Sequence, residues 1–158
     1  LERVAVIGHS FGGATAALAL SQDPRVRAGA NLDGMPYGGV ERARLDRPFL
    51  VIESDHAVTR HPALYGSRVR GLLAGSRTPG ARFEILGTNH YSFTDAELFF
   101  APPARPLLRK VFGGRLPTRA ALKTAADLVD GFLRDSLDGA SGRLAAAAAR
   151  HSDVLRAH

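Results

Sequence analysis

Residues 3–15 read Arg3-Val4-Ala5-Val6-Ile7-Gly8-His9-Ser10-Phe11-Gly12-Gly13-Ala14-Thr15. Arg3–Ile7 is an apolar, β-branched run suited to a short buried strand. Gly8–Gly13 is a glycine-rich turn. Ala14–Leu20 continues as a small-residue helix that stops near Asp23-Pro24, because proline cannot extend it. A serine at the apex of strand, turn and helix, in the pattern G-x-S-x-G, is an arrangement that presents a nucleophile. The glycines have a steric reason. Gly8 and Gly12 are expected where a Cβ would collide with neighbouring backbone, and Gly13 and Ala14 keep the helix close to the sheet. The turn pushes the Ser10 hydroxyl outward and aims the helix N-terminus at it. The Phe11 N–H can then stabilise an oxyanion. A plain helix N-cap would account for the serine but not for a glycine on each side.

Outward from this stretch, Val26–Leu32 reads as a second strand and residues 33–47 as loop. Phe49–Ile52 is a third strand, introduced by Pro48. Residues 62–73 carry apolar side chains at helical spacing, and Phe83–Leu86 is a fourth strand. Thr94-Asp95-Ala96-Glu97 fits a capping box opening a short helix. Residues 101–117 hold four prolines and read as loop. Thr118–Leu137 is amphipathic, with Leu122, Ala125, Val129 and Phe132 on one stripe. An alanine-rich helix is expected over 141–158. Strands alternating with helices predict a mostly parallel sheet with helices on both faces. The chain reads as one domain, with a core over 1–137 and the C-terminal helix as an accessory.

The 158 residues are 45% hydrophobic and 23% charged, as expected of a globular domain. There is no cysteine, which removes disulfides and thiolate metal sites. The formal net charge is +6 and comes almost entirely from scattered arginines, with Lys110 and Lys123 the only lysines. No dense basic run or nucleic-acid motif accompanies it, so no nucleic-acid partner is expected. No H-E-x-x-H or comparable cluster suggests a metal, and no cofactor is expected. The stretch 101–117 mixes Leu107, Leu108, Val111 and Phe112 with basic residues. A solvated loop is the expectation there, and contact with a membrane surface the alternative. A chain that begins inside a core strand is expected to have lost upstream sequence.

A serine nucleophile needs a base, most often histidine. His90, in Gly87-Thr88-Asn89-His90, lies just past the C-terminal end of the last predicted strand. Sites of open parallel sheets lie at those ends. His9 adjoins Ser10 and is expected to point away from it. His56 and His61 flank a loop, and His151 and His158 fall in the terminal helix. Two aspartates follow strand ends and precede His90: Asp33, in Asn31-Leu32-Asp33-Gly34, and Asp55, in Glu53-Ser54-Asp55-His56. Strand-end placement alone does not choose between them, and the unused one would be an ordinary turn aspartate.

Three blocks in order carry a resemblance: Gly8-His9-Ser10-Phe11-Gly12-Gly13-Ala14-Thr15, Leu32-Asp33-Gly34, and Gly87-Thr88-Asn89-His90-Tyr91-Ser92-Phe93-Thr94-Asp95. They resemble the platelet-activating factor acetylhydrolase family and its bacterial lipase-like relatives, within the α/β-hydrolase fold. The likeness runs from about residue 3 to 137. It implies Asp33 as the acid and His90 as the base. Cutinase- and polyester-hydrolase-like enzymes place the acid one strand later, which would suit Asp55. The resemblance also implies several strands and a second oxyanion-donating loop upstream of Ser10, all absent from this chain.

The expectation is therefore a cofactor-independent serine carboxylic ester hydrolase acting on a small-molecule or lipid ester through an acyl-enzyme. Ser10, Asp33 and His90 would be catalytic and Phe11 N–H the oxyanion donor. A serine peptidase or thioesterase would use the same residues. An inactive fragment or binding protein is the reading from another class, and the presence of Ser, His and Asp together speaks against it.

Overall fold

Buried on both faces, the apolar run at 49–52 is the axis around which the rest of the chain is laid. The computed structural model describes residues 3–76, 80–104 and 114–157. Four strands, β1 (Val4–His9), β2 (Val26–Leu32), β3 (Phe49–Ser54) and β4 (Ala81–Ile85), pair in parallel and in chain order. A fifth, β5 (Val154–Arg156), adds to β4 antiparallel. Ile7 stands beside Ala30, and Ala30 beside Leu50. This register brings the C-terminal ends of β1, β2 and β3 to one rim of the sheet.

Side chains alternate across the strands, so β3 feeds two cores. Phe49 and Val51 pack with Ala17 and Leu20 of α1 (Phe11–Gln22) and with Tyr65, Val69 and Leu72 of α3 (Leu64–Ala74). The one-turn helix α2 (His56–Thr59) lies between β3 and α3. Leu50 and Ile52 face the other way, onto Ala125, Leu128 and Phe132 of α4 (Thr118–Leu137) and Ala147 of α5 (Arg143–Ala149). Each such side chain, fully buried, contributes about 1.5–3 kcal/mol relative to exposure. The mostly parallel sheet with helices on both faces is the architecture predicted.

Three local expectations are corrected. Helix α1 begins at Phe11 rather than Ala14, because the Ser10 carbonyl already accepts the Gly13 N–H at 2.9 Å. The C-terminal helix covers only 143–149, and His151 lies beyond it. The residues after it extend to pair with β4, since that strand offers an open edge that a further helical turn would leave unpaired. Thr94 does not open a capped helix: its hydroxyl donates back to the Tyr91 carbonyl at 2.8 Å, and Asp95 caps the following 3₁₀ turn without a side-chain bond. The capping box is five residues earlier. Asn89 accepts from the Tyr91 and Ser92 N–H groups, and Ser92 Oγ accepts the Asn89 N–H at 2.9 Å. Residues 105–113, which carry the basic and apolar side chains weighed for membrane contact, lie outside the described residues. Among those described, no helix is long and apolar enough to cross a membrane.

Candidate active site

Ser10 sits between β1 and α1 with φ 58° and ψ −123°, a conformation few non-glycine residues adopt. Its N–H is held by the Leu32 carbonyl at 2.9 Å. The turn is possible because of what is missing around it. A Cβ on Gly8 would lie 2.0 Å from the Gly12 carbonyl oxygen, and one on Gly34 would lie 2.1 Å from the Ser10 carbonyl oxygen. Gly12 differs from expectation: a Cβ there would meet nothing within 4 Å, so its role is not steric relief at the turn. Ser10 occupies the helix N-cap position, yet its hydroxyl makes no capping bond. It lies instead 3.0 Å from His90 Nε2. The strain, of the order of 1–3 kcal/mol, accompanies turning a would-be cap toward His90.

His90 opens a 3₁₀ turn, His90–Phe93, fixed on one side by the Asn89–Ser92 box and on the other by Phe93, which is buried in the core. His9 is not turned away from the site. Its ring lies 4.6 Å from that of His90, and its Nε2–H donates to the His90 carbonyl at 2.9 Å. Burial, and after it the neighbouring His90, push His9 below the ordinary histidine value, so it serves as a neutral wall.

The carboxylate within reach of His90 is Asp33. His90 Nδ1–H donates to Oδ2 at 2.8 Å. Asp33 follows β2 with φ 56°, in a turn closed by Asn31, whose amide accepts the Gly34 N–H at 2.8 Å and donates to the Gly34 carbonyl at 2.7 Å. The Asp33 side chain is fully buried. The Ser54 N–H donates to Oδ1 at 2.7 Å, and Ser54 Oγ lies 2.9 Å from both oxygens. His61 Nε2–H donates to Oδ1 at 2.9 Å. Burial alone would raise the Asp33 carboxyl. The hydrogen bonds from His61, His90 and Ser54 outweigh it and hold the group well below the ordinary carboxylate range. Asp55 is otherwise engaged: Oδ1 caps α2 through the Ala57 N–H, and Oδ2 accepts the Gly87 N–H, both at 2.8 Å.

Phe11 is the first residue of α1, so its N–H has no intrahelical acceptor. The three side chains open into a cavity of about 320 Å³, walled by Phe11, Met35, Tyr37, Thr59, Arg60, His61, Pro62 and Tyr65. Its lining is mostly apolar, and Phe11 and Tyr37 stand ring to ring at 5.5 Å. The sequence reading has His61 flanking a loop after the third strand and assigns neither it nor Met35, Tyr37 or Tyr65 to the site. The one available signal for His61 was its position past the third strand, on the rim shared by Ser10 and Asp33. Among the described residues no cluster of three or more histidine and acidic side chains is arranged to hold a metal ion.

A sheet of this order, with a strained serine between β1 and α1 and with the aspartate after β2 and the histidine after β4 brought to one rim, has the α/β-hydrolase fold. A ferulic acid esterase from Streptomyces cinnamoneus has the same fold: TM-score 0.80 at 23% identity, covering 99% of this chain and 47% of that one. The sequence model of the platelet-activating factor acetylhydrolase, isoform II, family matches residues 1–141, and the chain belongs to that family. The platelet-activating factor acetylhydrolase of Canis lupus familiaris is 45% identical over 56 residues, covering 34% of this chain and 13% of that protein. The Gallus gallus enzyme of the same name is 34% identical over 97 residues, covering 60% and 22%. The chain thus aligns with well under two thirds of each relative's length.

Proposed function

We propose that the chain carries the catalytic residues of a serine ester hydrolase, and that Ser10, His90 and Asp33 are its nucleophile, base and acid. The observation that carries this reading is the line Ser10 Oγ–His90 Nε2–His90 Nδ1–Asp33 Oδ2, with contacts of 3.0 and 2.8 Å. Asp33, kept ionised, accepts Nδ1–H and leaves the lone pair on Nε2 facing the serine. His90 takes the Ser10 proton as Oγ attacks the ester carbonyl, and Asp33 stabilises the imidazolium that forms. The Phe11 N–H, at the positive end of α1, faces the oxygen on which charge develops. The alcohol departs with the proton from His90. Water, activated by the same histidine, then releases the acid from Ser10. The apolar cavity suits a short acyl or aryl group, in keeping with the names of the acetylhydrolase relatives and of the ferulic acid esterase.

The test is covalent labelling of the full-length protein with a fluorophosphonate, with the adduct located by mass spectrometry. Label on Ser10 and none in Ser10→Ala is expected. Unchanged labelling of Ser10→Ala would refute the assignment. A matched panel of acetyl ester, thioester and amide substrates separates an esterase from a thioesterase or peptidase; the ester is expected to turn over fastest.

A further inference from the structure

Asp33 is shared by two imidazoles, and only one of them reaches the serine. Ser54 Oγ stands equally far from both carboxylate oxygens and does not distinguish them. Two donors do: the Ser54 N–H and His61 Nε2–H bond Oδ1 at 2.7 and 2.9 Å, opposite the Oδ2 that serves His90. The carboxyl torsion of an aspartate is broad and roughly two-fold, so a donor fixed on one oxygen decides where the other points.

Of these two, the Ser54 N–H is main chain, and His61 is the side chain built to be a fixed donor. Arg60, with φ 51°, reverses the chain after α2, and Pro62 confines the His61 backbone to extended conformations. Together they turn the ring inward. It then stacks on Tyr65 at 4.0 Å and 22°, with His56 edge-on at 5.0 Å. The side chain is only 11% exposed. Stacking alone would be served by phenylalanine. The histidine instead leaves Nδ1 buried with no hydrogen-bond partner among the described residues, a cost an apolar ring would avoid. The bond from Nε2–H to a charged oxygen offsets it.

We infer that His61 is a positioning residue of this site: through its Nε2–H bond to Asp33 Oδ1 it holds the carboxylate in the orientation that His90 requires. The inference rests on the proposed roles of Ser10, His90 and Asp33.

Two substitutions in the full-length protein separate donor from ring. His61→Phe keeps the stack on Tyr65 and removes the donor. His61→Gln removes the ring and retains an N–H near the position of Nε2. The readouts are kcat and KM for p-nitrophenyl acetate, the thermal unfolding midpoint, and the low-field proton resonance of the His90–Asp33 bond. His61→Phe is expected to lose about tenfold in kcat with KM unchanged, the scale of a lost hydrogen bond to a charged group. Its low-field resonance should shift or broaden. His61→Gln should stay close to wild type in both. Should His61→Phe unfold, His61→Met takes its place as a donorless side chain. Full kcat in the donorless variant, or a loss in His61→Gln as large as in His61→Phe, would overturn the inference. Ser10→Ala in the same assay tells the two readings apart. Activity surviving in Ser10→Ala refutes the nucleophile, whereas an inactive Ser10→Ala beside a fully active His61→Phe refutes the positioning role alone.

Discussion

Asp33→Asn changes one oxygen to an amide nitrogen and leaves the shape of the side chain almost intact. Asparagine tolerates the left-handed backbone at φ 56°, so the turn should persist. The chemistry does not. Every partner of the carboxylate is a donor: Ser54 N–H and His61 on Oδ1, His90 on Oδ2, with Ser54 Oγ between. An NH₂ facing His90 would require a lone pair on Nδ1, which puts the proton on Nε2, where the proposed mechanism needs a base. An NH₂ facing Ser54 N–H would oppose two donors directly. In a serine protease the equivalent substitution lowers turnover by ~10⁴, or about 5.6 kcal/mol at 1.4 kcal/mol per decade, and a loss of that order is expected here. Asp55→Asn is the control. It can keep either the helix cap or the Gly87 bond and lose the other, costing about 1 kcal/mol of stability and little activity. The assay is hydrolysis of a short-chain ester by the full-length protein, with circular dichroism to show that each variant is folded. A folded, active Asp33→Asn beside a dead Asp55→Asn would transfer the acid to Asp55. Comparable, severe losses in both folded variants would refute a single-acid site.

The depressed Asp33 pKa also makes a stability prediction. Its stabilisation is complete above the unfolded carboxylate range near 4 and is lost as pH falls through the lower folded value. Urea unfolding midpoints taken from neutrality downward should therefore fall less steeply in Asp33→Asn than in wild type, and equal slopes would contradict the reading. Glu53 and Arg82 form a buried pair at 2.8 Å, so Arg82→Met, which leaves the carboxylate only His56 at 3.3 Å as an ion-pair partner among the described residues, should cost about 3 kcal/mol in denaturant unfolding. Adding Glu53→Leu should recover much of that loss. Arg60→Gly should raise stability by up to about 1 kcal/mol by relieving its left-handed conformation, measurable as a higher unfolding midpoint.

What the sequence disclosed was what local pattern encodes. Val26–Leu32 and Thr118–Leu137 fall at their predicted bounds because one is a run buried except at Arg27 and, in part, Leu32, and the other a full amphipathic period. Ser10, Asp33 and His90 were each readable as motif residues at strand ends, and the parallel register then brings those ends together. His61 was not readable that way: what makes it part of the site is a contact 28 residues away in the chain, through a backbone reversal at Arg60. Strand β5 was hidden for a different reason. Three residues carry no period, and they extend only because β4 presents an edge. The Thr94-x-x-Glu97 pattern misled because the Thr94 hydroxyl found the Tyr91 carbonyl and Glu97 found the Thr118 hydroxyl, a tertiary partner invisible to local pattern.

In this sheet the order of strands in space is their order in the chain. As the chain leaves a ribosome, β2, β3 and β4 each meet the strand made just before them, and only β5 closes a long separation, pairing Val154 with Ile85. Growth by short crossovers keeps the closure entropy of each step small. It also leaves one bare, advancing edge at every stage, the kind of surface on which nascent chains associate with one another. The antiparallel β5 covers the β4 edge and leaves as outer strand only the three residues Val154–Arg156, a short edge that offers little for another chain to pair with.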